Sequence, residues 1–81
     1  MAYSMHNVVI GKRQILREIK KNNIAEIQIA TDAETKYIEE LIDVAKQNNV
    51  PYVICSTMNE ISARHGIDVP SGAIGVLRTY L

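Results

Sequence analysis

The 81-residue chain has no net charge, one cysteine and a hydrophobic content of 47%. These values argue against a disordered chain, exclude an internal disulfide and limit any polyanion binding to a local surface. The N-terminus lacks a signal-peptide pattern, and no apolar run reaches the roughly 18 residues that a transmembrane helix needs. We therefore expect one domain, residues 1–81, in the cytoplasm and without a membrane partner.

A short strand and a basic helix are predicted first. Residues 8–10 are apolar, and Gly11 permits a tight turn after them. The following helix has an apolar stripe formed by Ile15, Leu16 and Ile19. Two asparagines then end this helix, since asparagine tolerates the left-handed conformation.

The middle of the chain predicts two more strands with a helix between them. Residues 24–30 alternate isoleucine with polar residues, which is typical of a half-buried strand. Residues 31–34 match a capping box, with Asp32 as an alternative cap, and a strongly periodic helix follows. Residues 52–56 form a continuous apolar run, which predicts a central strand covered on both faces.

The last third predicts a short helix, a loop and a final strand. Residues 57–60 match a second capping box, and Gly66 is placed to end the helix. Residues 67–72 form a loop before the strand at 73–81. The order β-α-β-α-β-α-loop-β predicts an α/β domain with helices on both faces of a small sheet.

No group of residues predicts catalysis, a metal site or a cofactor. Cys55 falls in the strand predicted to be buried, where it is expected to act as a small hydrophobe. His6 and His65 lie in different elements and have no metal-ligand spacing. The Gly11-Lys12 pair lacks the earlier glycine and the following Ser or Thr of a P-loop. We therefore expect no catalytic residue, no metal and no cofactor.

Positive charge is concentrated at the first predicted strand-to-helix turn. Residues 11–21 carry five basic groups and one acid, whereas residues 26–43 carry six acids and one basic group. A helix N-terminus favours an anion, yet Lys12 and Arg13 oppose the helix dipole there. Cations at such an unfavourable position indicate a function. An ordinary solvated helix face is the alternative.

Two further segments fit a ligand at this turn. Gln14 and Arg17 are predicted one turn apart on the same exposed side, and each can give two hydrogen bonds to a base edge. Residues 67–73 include small residues that would allow close approach of a ligand, and Ile67, Val69 and Pro70 could cover an unstacked base if the segment lay beside Gly11. The alternative is a plain connecting loop.

The residues from 8 to 34 resemble the opening of the ribosomal L7Ae family and its L30e relatives, which bind kink-turn RNA. That family shows a strand, Gly-x-Asn-Glu-x-x-Lys, a basic helix, a strand and Ala-x-Asp. The matching positions here are Ile10-Gly11, Arg13-Gln14, Arg17 and Ala30-Thr31-Asp32. Residues 58–77 resemble the second half of the family, and the short chain is most similar to its bacterial members.

The resemblance implies a three-layer α/β/α sandwich with a small four-stranded mixed sheet. It also implies recognition of a kink-turn, a sharply bent RNA element with tandem sheared G·A pairs, or of a related internal loop. Ribosomal RNA or a riboswitch would supply that element. The RNA-binding residues that the resemblance implies are Gly11, Lys12, Arg13, Gln14, Arg17, Lys20, Val69, Pro70, Ser71 and Gly72.

The resemblance also implies a role for each part of this set. Gly11 would allow close approach of the RNA backbone, and Lys12 and Lys20 would contact phosphates. Residues 69–72 match the loop that covers the extruded nucleotide. Arg13 and Gln14 stand where the family has Asn and Glu.

These patterns together predict a monomeric, non-catalytic RNA-binding protein. Two alternatives stay open at this point. One is a protein-interaction module on the same fold that uses the acidic second helix. The other is a substrate-binding domain detached from an RNA-modifying enzyme. If the chain binds RNA, its affinity for RNA should fall as the salt concentration rises, because the phosphates that it neutralises release their counterions.

Overall fold

The structure is a computed structural model that describes residues 8–67 and 71–78. Strands and helices alternate along the chain in the predicted order. The elements are β1 (Val8–Ile10), α1 (Lys12–Lys20), β2 (Ile24–Ala30), α2 (Thr35–Gln47), β3 (Tyr52–Ser56), α3 (Met58–Arg64) and β4 (Ala73–Leu77). The predicted α/β class is confirmed.

The four described strands form one mixed sheet in the order β1-β4-β2-β3. Strand β4 runs antiparallel to both β1 and β2, and β2 runs parallel to β3. All five residues of β4 are buried. The last strand therefore lies inside the sheet and fixes β1 against β2.

The prediction that residues 52–56 form a central strand is wrong. Among the described strands β3 pairs only with β2, so it lies at an edge of the sheet. Ile54 is 42% exposed and Cys55 is also exposed. The strand that is covered on both faces is β4, which has an equally continuous apolar sequence.

Helices cover both faces of the sheet and give three layers. Ile15 of α1 and Leu41 of α2 are fully buried on one face, where they pack with Ile27 and Ile29 of β2. Ile61 of α3 is fully buried in the separate cluster on the other face. The predicted α/β/α sandwich is confirmed, with two helices on one face and one on the other.

The helix ends follow the predicted stop signals. Asn22, Asn49 and Gly66 each have a positive φ, between 56° and 70°, directly after the three helices. The second predicted capping box is present, because Thr57 Oγ1 accepts from the Glu60 N–H and a Glu60 carboxylate oxygen accepts from the Thr57 N–H.

The first predicted capping box is wrong. Helix α2 begins after Glu34, and no side chain caps it. Asp32 instead reaches the start of α3, where its Oδ1 accepts from the Met58 N–H at 2.9 Å. The carboxylate thus stabilises the N-terminus of a different helix, to which it is brought by the parallel pairing of β2 with β3.

His65 links the end of α3 to the sheet. Its side chain is buried, and its Nε2 lies 2.9 Å from Gln28 Oε1 of β2. Burial lowers the pKa of His65, and the nearby Arg64 charge lowers it further. The folded protein therefore holds the neutral imidazole more firmly than the unfolded chain does.

We expect stability to fall as the pH drops below about 6.5, the ordinary histidine value, because the unfolded chain then binds a proton that the fold resists. Urea unfolding of the parent and of His65→Gln at pH 7.5 and 5.5 tests this. The variant should lose part of the pH dependence. An identical pH dependence in both proteins would contradict the assignment.

Candidate nucleic-acid interface

Gly11 is the residue at which β1 turns into α1. Its φ of 87° and ψ of 159° lie in a region that is essentially restricted to glycine. Its N–H donates to the Ala73 carbonyl at 3.0 Å, at the start of β4. The end of the predicted 67–73 loop therefore lies beside Gly11.

The N-terminus of α1 presents N–H groups that have no partner within the helix. The first intrahelical bond runs from the Ile15 N–H to the Gly11 carbonyl. The Lys12 N–H donates to Tyr37 Oη at 3.1 Å. The N–H groups of Arg13 and Gln14 precede the intrahelical bonds, so they are available to an anion at this end.

One side of α1 forms a cationic surface that we call the basic groove. Its lining residues are Lys12, Arg13, Leu16, Arg17 and Lys20. Arg13, Arg17 and Lys20 are exposed and form no ion pair within the described residues. Three of the predicted phosphate-contacting or base-contacting cations thus share one face and are held in no ion pair within the described residues.

The predicted pairing of Gln14 with Arg17 on one exposed side is only partly realised. Arg17 is exposed and lines the basic groove. Gln14 is half-buried and does not line it. The three-residue spacing therefore does not give Gln14 the exposure of Arg17.

Lys12 contacts α2 at two residues that the sequence analysis did not select. Its ammonium forms an ion pair with the Glu40 carboxylate and lies 5.5 Å from the centre of the Tyr37 ring. The hydrogen bond and the charge of Lys12 hold the pKa of Glu40 below its ordinary value. Burial raises the pKa of Tyr37, which keeps its hydroxyl neutral.

The predicted loop residues have two different surroundings. Ser71 is buried: its N–H donates to Ser62 Oγ at 3.0 Å, and its own hydroxyl donates to the Ala73 carbonyl at 2.8 Å. Gly72 is half-buried beside Tyr37, and a Cβ there would lie 2.9 Å from the ring. Val69 and Pro70 lie outside the described residues.

A small depression adjoins Gly72 at the ends of β2 and α2. Its lining residues are Asp32, Ala33, Glu34, Tyr37, Met58 and Gly72. Tyr37 therefore connects this depression to the N-terminus of α1. No local sequence pattern marks Tyr37 or Glu40 as part of the site, because each reaches it only through the packing of α2 against α1.

The described part of the chain holds no group of three or more His, Cys, Asp and Glu side chains that could bind a metal ion. Among the helices of that part, none is long and apolar enough to cross a membrane.

The chain belongs to the ribosomal protein L7Ae/L30e/S12e/Gadd45 family, whose model matches residues 1–79. It is 32% identical over 71 residues to an "RNA-binding protein" of Geobacillus thermodenitrificans, covering 88% of this chain and 87% of that one. It is 31% identical, with the same coverage, to the "RNA-binding protein YbxF" of Geobacillus stearothermophilus.

Solved structures share the fold. A 15.5 kDa RNA-binding protein of Giardia lamblia superposes with a TM-score of 0.83 at 19% identity, over 91% of this chain and 62% of that chain. A Bacillus halodurans protein of unknown function gives a TM-score of 0.82 at 15% identity, over 88% and 71% of the two chains. At these identities the likeness establishes the architecture.

Replacing Gly11 by Ala should destabilise the protein by about 1–3 kcal/mol, because its backbone conformation strains any residue with a Cβ. The space around the added methyl group is open, so strain alone is measured. Gly66→Ala is the matched control, since Gly66 also has positive φ and open space. Its left-handed conformation should cost about 1–2 kcal/mol.

Urea unfolding of the parent and the two variants measures the change in the free energy of unfolding that each substitution causes. A Gly11→Ala protein as stable as the parent would contradict the strain that the Gly11 backbone implies.

Proposed function

We propose that this chain is a non-catalytic RNA-binding protein that recognises a kink-turn or a related internal loop with the N-terminus of α1. One observation carries the proposal: α1 begins at Gly11 with available N–H groups and several exposed cations on one face. The family and the names of its relatives support RNA as the polyanion. We assign the site residues named from the sequence to this proposed interface; among them Val69 and Pro70 lie outside the described residues, and Ser71 is buried.

The shape of the site suits a distorted RNA better than a regular duplex. The major groove of A-form RNA is too deep and narrow for side chains, so a helix end needs a place where that groove is opened. A kink with sheared G·A pairs provides such a place. The N-terminus of α1 can enter it, because Gly11 lacks a side chain and nothing lies within 4 Å of its Cβ position.

Contacts to phosphates and contacts to bases come from different parts of this interface. Arg17 and Lys20 on the exposed face suit phosphates, which position a protein without reading sequence. Arg13 and Gln14 stand at the helix end, where guanidinium and amide groups can reach guanine edges. Gly72 lies near Gly11 in the fold, and we assign it to the loop that covers an extruded nucleotide.

The acidic second helix supports a protein-interaction function less well. Glu40, its acid nearest the site, is already paired with Lys12. The other two acids of α2, Glu39 and Asp43, are exposed as on an ordinary solvated helix face. RNA binding therefore accounts for more of the described surface than protein interaction does, and we propose it for a monomer in the cytoplasm.

A titration tests the function. The parent should bind a kink-turn RNA with strong preference over a control RNA in which Watson–Crick pairs replace the sheared G·A pairs. The log–log salt slope should be about −0.7 to −0.9 for each phosphate neutralised. Equal weak binding to both RNAs would reduce the site to a general phosphate contact. No binding to either RNA would overturn the proposal.

Arg17→Gln should weaken binding of the kink-turn RNA and reduce the log–log salt slope by about 1, as expected for the loss of one phosphate contact. Lys46→Gln is the matched control, because it removes one positive charge from the exposed last turn of α2. Equal losses from both variants would mean that net charge, rather than the basic groove, governs binding.

A further inference from the structure

Lys12 differs from the other cations of the basic groove because α2 engages it three times. Its ammonium pairs with Glu40 and lies over the Tyr37 ring, while its backbone N–H donates to the Tyr37 hydroxyl. Arg13, Arg17 and Lys20 have no ion-pair partner among the described residues. The charge nearest the start of α1 is thus neutralised within the protein.

Lys12 also lines two neighbouring depressions. One is the basic groove; the other is lined by Lys12, Leu16, Glu40, Asp43 and Val44 and so holds the acid that pairs with Lys12. The Lys12 and Glu40 side chains keep 32% and 45% of their exposure. A phosphate approaching the α1 N-terminus can therefore reach the ammonium without any rearrangement of the core.

We infer that Glu40 competes with an RNA phosphate for Lys12 and thereby limits the affinity of the interface. The inference rests on the proposed function. In the free protein the ammonium pairs with the carboxylate. In the complex it turns to a phosphate, while the Tyr37 hydroxyl continues to accept from the Lys12 N–H and holds the start of the helix in place.

Competition of this kind has a direct consequence for selectivity. Lys12 adds little to the affinity for RNA that merely lies along the basic groove, since its ion pair with Glu40 is exchanged for an ion pair of similar strength with a phosphate. An exposed ion pair is weak, so a phosphate held rigidly beside Lys12 can displace Glu40. The pair therefore favours RNA whose fold places a phosphate at that point over RNA that binds by charge alone.

Glu40→Gln tests the competition, with Glu39→Gln as the matched control on the neighbouring, exposed position of the same helix. Both changes remove one negative charge. We expect Glu40→Gln to tighten binding of the kink-turn RNA about fivefold at low salt, in line with the loss of one exposed ion pair, and Glu39→Gln to change it by less than about twofold. The salt slope of Glu40→Gln should be steeper, because Lys12 no longer gives up a partner.

A double-mutant cycle completes the test. Lys12→Gln should weaken binding more in the Glu40→Gln background than in the parent, because only there is the ammonium free before RNA arrives. Additive effects, or equal effects of Glu40→Gln and Glu39→Gln on an RNA that the parent binds, would overturn the inference and leave the proposed function standing. Absence of binding by the parent and all variants would overturn both.

Discussion

The hydrogen bond from the Gly11 N–H to the Ala73 carbonyl is the constraint on which the rest of the site depends. It joins the end of β1 to the start of the central strand β4, and α1 begins at the same residue. Only a glycine at position 11 can adopt the required backbone conformation without strain, and this lets β1 and α1 meet with no intervening loop. The helix N-terminus and Gly72 are brought together as a result.

The positive charges at the start of α1 destabilise that helix. Lys12 and Arg13 stand in the first turn of α1, which carries no acidic residue, so both oppose the helix dipole. The fold offsets one of these charges through Glu40 and leaves the other exposed. The arrangement resembles a binding site in which the missing negative charge is supplied by the ligand.

Most of the fold follows from local sequence signals. The glycine and asparagine stop signals and the Thr57–Glu60 capping box involve residues that are near neighbours in sequence, so the sequence predicts them well. The errors concern contacts between distant segments. Strand order decides that Cys55 is exposed, and the pairing of β2 with β3 takes Asp32 to α3. Neither result can be derived from a run of adjacent residues.

In the candidate site, too, the local features are predicted from the sequence and the contacts between distant segments are not. The concentration of cations on α1 is predicted from the sequence, whereas the common face of Lys12, Arg13, Arg17 and Lys20 is found in the structure. Tyr37 and Glu40 belong to the site through packing of α2 against α1, which no motif records. Ser62 gives a further example, because its hydroxyl fixes the buried Ser71 nine residues later. The sequence marks Ser71 as part of a binding loop, whereas its described hydrogen bonds are internal to the protein.

The most direct test of this account is an NMR titration of the ¹⁵N-labelled protein with kink-turn RNA. We predict the largest amide shifts at Gly11, Arg13, Gln14 and Gly72, with Ile54 on the β3 edge and Asn48 after α2 nearly unchanged. Such a pattern would place RNA at the α1 N-terminus. Large shifts along β3 or the acidic face of α2, with Gly11 and Arg13 silent, would contradict the account.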